Sequence, residues 1–146
     1  MDKSIKIKSI KNDVIRIKYL GTYYSINITD ELKIDENLMN TQLSDQPSNY
    51  AFLCLLRDEA IYKKNKLEAK MEKALSDAWN YFKNSDSRMN NDQANNRAIS
   101  TEKYQSIKSR YLRALDKATK LSSICRAYES RERLLQTIAS NMRKLS

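Results

Sequence analysis

After Pro47 the chain runs to residue 146 without another proline or glycine, and Gly21 is the only glycine in the whole sequence. Glycine and proline are the residues that most reliably end a helix or permit a tight turn, so a stretch of this length without either has few folds open to it besides long helices. From Ser48 to about Phe82, Leu53, Leu56, Ala60, Leu67, Met71, Ala74, Ala78 and Phe82 recur every three, four or seven residues, which predicts one amphipathic helix over 48–82. Residues 83–99, KNSDSRMNNDQANNRAI, are rich in Asn, Asp and Ser and read as a loop that reverses the chain. From about residue 100 to 145, alternate steps of three and four give Tyr104, Ile107, Tyr111, Ala114, Ala118, Leu121, Cys125, Tyr128, Glu132, Leu135, Ala139 and Met142. Only Glu132 breaks this heptad-like seam, and Leu115, Ile124, Ile138 and Leu145 widen it.

Upstream the period changes. Ile5 and Ile7 alternate with Lys6 and Lys8, Ile15 and Ile17 with Arg16 and Lys18, and Tyr24, Ile26 and Ile28 with Ser25 and Asn27. Residues 1–28 therefore read as a small three-stranded meander with turns at Lys11-Asn12-Asp13 and Gly21-Thr22. Residues 29–47 are acidic, lack a sustained period and end at Pro47, as a linker would. The expected fold is mainly α: a long antiparallel helical hairpin over 48–146 with a small N-terminal β-meander. Two helices this long cannot cover wide apolar stripes by pairing only with each other, which predicts a homo-oligomer held through Tyr111, Leu121, Tyr128, Leu135, Ile138 and Met142. The bland reading of the same stripe is a single intrachain core.

The residue inventory excludes most catalytic chemistry. There is no His, so no Ser-His or Cys-His pair and no imidazole titrating near neutrality. Cys54 and Cys125 are too few for a zinc site, and one glycine cannot build a phosphate-cradling loop. Asp30, Glu31, Asp35 and Glu36 lack the arrangement of a calcium loop. The chain is thus expected to be non-enzymatic, with no cofactor and no metal. No apolar run approaches a membrane span, no signal-peptide core is visible, and two distant cysteines suit a reducing compartment. The expected location is the cytoplasm, that of the host cell if a phage encodes the protein.

What remains is charge. The 27 Lys and Arg outnumber 18 Asp and Glu for a net +9, and residues 101–146 alone sum to +7. Lys63, Lys66, Lys70 and Lys73 stand at offsets 0, 3, 7 and 10 on the first long helix, and Arg110, Arg113, Lys117 and Lys120 repeat those offsets on the second. Lys103 and Arg131 extend the second row. Each set forms a stripe roughly 15 Å long, and two such rails suit a phosphate backbone. Trp79, Tyr81 and Phe82 cluster beside Lys83, supplying rings on which bases could stack. The predicted binding set is Lys63, Lys66, Lys70, Lys73, Trp79, Tyr81, Lys83, Lys103, Arg110, Arg113, Lys117 and Lys120. Charge rows on helices are also ordinary solvated faces, and Glu59–Lys63 and Asp116–Lys120 are plain i,i+4 pairs; the excess of positive charge favours binding. Nothing here reads base edges, so no sequence specificity is expected.

The order of these features resembles the UvsY-type recombination mediators of tailed phages. In LKIDENLMN, Leu32, Ile34, Asp35 and Leu38 are similar to the family's ID-x-x-x-L element with one residue fewer before the leucine, followed by Pro47, Tyr50, Leu53 and a Lys-rich helix. Trp79-Asn80-Tyr81-Phe82 resembles its paired tyrosines before a polar loop, and YLRALDKATKL, Tyr111 to Leu121, resembles its YL-x-x-D-x-x-x-x-K segment in residue order, with Asp116 one position later and Lys120 one position nearer to it than in that pattern. The chain departs from that pattern in having Ser76, Asp77 and Ala78, not basic residues, before the aromatic group, and in its strand-like N-terminal extension. The resemblance implies a ring-shaped homo-oligomer that wraps single-stranded DNA, contacts a single-strand-binding protein and helps a RecA-like recombinase onto the strand. The other function class open to such a chain is a helical protein–protein interaction module, a phage inhibitor or adaptor, docking on an acidic partner surface.

Overall fold

The computed structural model describes residues 14–145. The described chain is mainly α with a two-stranded antiparallel sheet at its N-terminal side: β1 (Val14–Tyr19), β2 (Thr22–Asn27), α1 (Ile28–Leu32), a 3-10 turn at Glu36–Leu38, α2 (Met39–Ser85), α3 (Asn91–Ile99) and α4 (Glu102–Leu145). The strand expected around Ile5 and Ile7 lies outside the described residues. Two compact units emerge, one comprising 14–56 with 120–145 and the other 57–119; the division falls inside α2 and inside α4.

In the first unit the period-2 pattern forms the hairpin it predicts. Ile15 pairs with Ile26 and Ile17 with Tyr24, so the three isoleucines are buried while Arg16, Lys18 and Ser25 face water. The two-residue turn places both Leu20 (φ 48°) and Gly21 (φ 81°) in the left-handed region, as a tight hairpin turn demands. Leu20 has no steric licence for that region, and with its side chain 85% exposed it gains no packing in return. Tyr24 meets Phe52 of α2 edge to face at 5.0 Å, which seats the sheet on the helix.

The segment expected to be a linker is not one. Asn27 caps α1 by accepting from the Asp30 amide at 3.1 Å, and α2 begins at Met39, nine residues before the expected start. Gln42 explains why. Its Oε1 accepts from the Asp35 amide at 3.1 Å and its Nε2 donates to the Lys33 carbonyl at 3.1 Å, bracketing the turn against the first turn of α2. The polar residues that make this stretch look like loop are the ones that satisfy its backbone. Pro47 sits inside α2, where it removes one helical N–H donor and by itself disfavours the helix by about 3 kcal/mol. Its neighbour Gln46 is buried, with Nε2 donating to the Tyr128 carbonyl of α4 at 2.9 Å, so tertiary contact helps hold the helix through the proline.

Gln46 also anchors Arg131, which sequence periodicity assigns to the cationic row. Arg131 is instead 8% exposed: one terminal nitrogen donates to Gln46 Oε1, the other to the Lys33 carbonyl at 3.1 Å, and the guanidinium lies 5.1 Å from the Tyr128 ring. Ten residues beyond Leu121, it borders the apolar face of α4, and its long stem carries the charge inward. Beside it the Tyr50 ring stacks on Tyr128 at 6.4 Å, and its hydroxyl donates to Glu129, which pushes the phenol's ionisation well above its ordinary range. Leu53, Leu56, Leu121, Ile124, Cys125 and Leu135 complete this core.

The second unit packs on smaller groups. Its buried positions are Ala60, Ala74, Ala94, Ala98 and Ala118, with Met89 and Tyr104. Within the span expected to be loop, Asn90 and Gln93 form a capping box: the Asn90 side chain accepts from the Gln93 amide at 2.8 Å and Gln93 Oε1 accepts from the Asn90 amide at 3.2 Å. That box starts α3, whose Ala94 and Ala98, one turn apart, are fully buried.

Candidate nucleic-acid interface

The two cationic rows meet in the second unit. Lys63 of α2 and Arg110, Arg113 and Lys117 of α4 line one cleft of about 450 Å³, whose remaining lining is Ala60, Leu67 and Ala114. Lys70 and Lys73 of α2 and Lys103 of α4 line a second cleft of about 240 Å³, together with Ala74, Asp77 and Ile107. Higher numbers on α2 meet lower numbers on α4, as an antiparallel helix pair requires. Alanines at the contact positions let the basic stems flank the helix–helix seam, and seven of the predicted cations are brought together this way.

Their state is mostly open. Lys70, Lys73, Lys103, Arg110, Arg113 and Lys117 are exposed, whereas Lys63 is half-buried and paired with Glu59 at 3.6 Å. That pair is exposed enough to be weak, so a phosphate can compete with Glu59 for the ammonium. Among the described residues the larger cleft has no carboxylate in its lining; the smaller has Asp77, which offsets part of its charge. Over residues 57–119 the sequence holds 14 Lys and Arg against 9 Asp and Glu, a positive field that would draw in a polyanion.

The other predicted site residues fall differently. Lys66 is exposed and lines neither cleft, and Lys120 belongs to the first unit. Lys83 is a structural residue: its ammonium donates to the Met89 carbonyl at 2.7 Å and lies 5.8 Å from the Trp79 ring, fastening the turn after α2. Trp79 is half-buried, and Phe82 is half-buried with its ring edge-on to Tyr81 at 5.4 Å. Of the aromatic group only Tyr81, 67% exposed, presents a ring to solvent. Sequence reasoning missed Ala60, Leu67 and Ala114 as members of the site; their signal, small residues interleaved with the cationic offsets, is legible only once the facing helix is known.

The expected oligomerisation set also divides. Leu121, Tyr128 and Leu135 are at most 1% exposed within the chain itself and therefore offer no surface to a second copy. At Tyr128 the cover comes from the N-terminal part of α2, whose Gln46 bonds its carbonyl and whose Tyr50 stacks on its ring, and α2 starts nine residues earlier than expected. Tyr111 and Ile138 are partly covered, and Met142 is exposed at the rim of a cleft of about 640 Å³ between the start of α2 and the end of α4.

No helix among the described residues is long and apolar enough to cross a membrane. Comparison with protein-family models, with curated proteins and with solved structures finds no match to this chain.

Proposed function

We propose that this protein binds single-stranded nucleic acid through the two clefts of its second unit and works as a non-enzymatic mediator that helps a RecA-like recombinase onto DNA coated by a single-strand-binding protein. The observation that supports the binding is the convergence of Lys63, Arg110, Arg113 and Lys117, and of Lys70, Lys73 and Lys103, from two helices into shared clefts. A solvated face needs no such convergence, since isolated surface charges gain nothing from facing like charges across a seam. Placing cations side by side costs repulsion that a bound phosphate chain removes, and because every nucleotide carries that phosphate the binding is expected to be independent of sequence. The mediator role rests on the order of elements that resembles the UvsY-type proteins, from Leu32 through the Lys-rich helix to the Tyr111–Leu121 segment.

The test is fluorescence anisotropy with labelled oligo-dT over a range of salt, with matched duplex as competitor and mass by light scattering on the same sample. The reading predicts preference for the single strand and a log affinity that falls linearly with log salt by about 0.7 for each phosphate contacted. A protein indifferent to oligonucleotides at low salt overturns it and turns attention to an acidic protein partner.

A further inference from the structure

The larger cleft has a feature that backbone binding does not explain. Phosphate oxygens need N–H donors or water, and the rim of the larger cleft supplies them from Lys63, Arg110, Arg113 and Lys117. Its floor does not: Ala60, Leu67 and Ala114 offer only methyl and methylene groups, and a cleft of about 450 Å³ is within the range that holds a small flat ligand. A phosphodiester chain lying on the rim alone would leave that floor wet and apolar. An unstacked nucleobase has two apolar faces and is tethered on both sides to phosphates, so it matches floor and rim at once.

Resting on the nucleic-acid reading above, we propose that the larger cleft is a base-receiving subsite: one base of the bound single strand lies on Ala60, Leu67 and Ala114 while the phosphates flanking it are held by the four rim cations. The contact is to the base face and not its edge, so every base is accepted, and a duplex, whose bases are stacked and paired, cannot offer one. The smaller cleft, at about 240 Å³, carries Asp77 beside its apolar Ala74 and Ile107, and that carboxylate repels the phosphates that would have to flank a base there. Among the described residues no aromatic ring lines the larger cleft, so the gain per base is smaller than ring stacking gives. Covering roughly 50 Å² of apolar surface corresponds to an affinity gain on the order of fivefold to tenfold.

The experiment compares oligo-dT with an abasic phosphodiester chain of equal length, each titrated against the wild-type protein, Ala114→Leu, which fills the cleft, and Leu67→Ser, which makes its floor polar. Helix content and melting temperature are measured for both variants. The proposal predicts that wild type binds oligo-dT several-fold more tightly than the abasic chain, and that in a folded Ala114→Leu or Leu67→Ser protein the ratio of the two affinities falls toward one. Equal wild-type affinity for the two chains overturns the base subsite and leaves backbone binding standing. Failure to bind either chain overturns the parent reading instead. Where one variant fails to fold the other decides the matter, because a folded variant that keeps the full difference would move the base contact elsewhere, to the exposed Tyr81 ring for example, and overturn the subsite.

Discussion

The two units solve the same problem, pairing α2 with α4, with opposite materials. The first buries Leu53, Leu56, Leu121, Ile124, Tyr128 and Leu135 and braces them with the Gln46–Arg131 crosslink; the second buries mainly alanines and borders them with exposed cations. Large aliphatic and aromatic side chains each contribute about 1.5–3 kcal/mol on burial, whereas an alanine contributes far less. Stability is therefore concentrated in the first unit, and the second gathers its cations into clefts. The division is physically sensible: like charges along a helix seam destabilise whatever holds them, and such a face is drawn from the less stable part of a fold.

The contrast can be broken at its strong side first. Leu135→Ala deletes a side chain with no solvent exposure and should destabilise the protein by about 2–5 kcal/mol in urea unfolding; a cost under about 1 kcal/mol would mean that the first unit is not the stable one. Arg131→Met keeps the apolar stem but strips the donors from Gln46 Oε1 and the Lys33 carbonyl, for a loss of about 1–3 kcal/mol. In a double-mutant cycle that substitution should couple to Gln46→Leu; additive effects would show that the crosslink is not a unit. The smallest change belongs to the second unit. Asn90→Ala removes the α3 cap, worth about 1 kcal/mol locally, and should raise amide exchange in Asn91–Ile99 while leaving exchange in the Leu121–Leu135 core unaltered. Equal loss of protection in both places would mean that the units do not open independently.

The helices and the cationic rows are legible in the sequence because both rest on local spacing, and a spacing of three, four and seven survives whatever packs against it. The hairpin around Gly21 is legible for the same reason. What stays hidden depends on partners distant in sequence or on side-chain geometry that composition conceals. Asp35, Gln42 and Gln46 look like loop residues until Asp35 is seen to bond Gln42, Gln42 the Lys33 carbonyl and Gln46 the Tyr128 carbonyl. Asn90 and Gln93 sit in an Asn-rich run whose polarity masks a capping box. Arg131 matches the cationic period, yet its surroundings decide that it is buried, and Lys83 matches the binding set, yet the Met89 carbonyl claims it. Leu121, Tyr128 and Leu135 show the limit of a heptad stripe, which tells that a face is covered without telling by what.

Whether one unit holds the fold and the other the polyanion is tested most directly by comparing salt slopes of oligo-dT binding for two triple variants. One removes Arg110, Arg113 and Lys117 from the second unit by alanine substitution; the other removes Arg126, Arg133 and Lys144, exposed basic residues of the first. Both lower the net charge equally. The first variant should weaken binding and flatten the log–log slope by about 0.7 for each phosphate no longer neutralised, while the second leaves the slope where it was. Equal flattening in the two variants would contradict this division, because binding would then follow net charge and not the clefts.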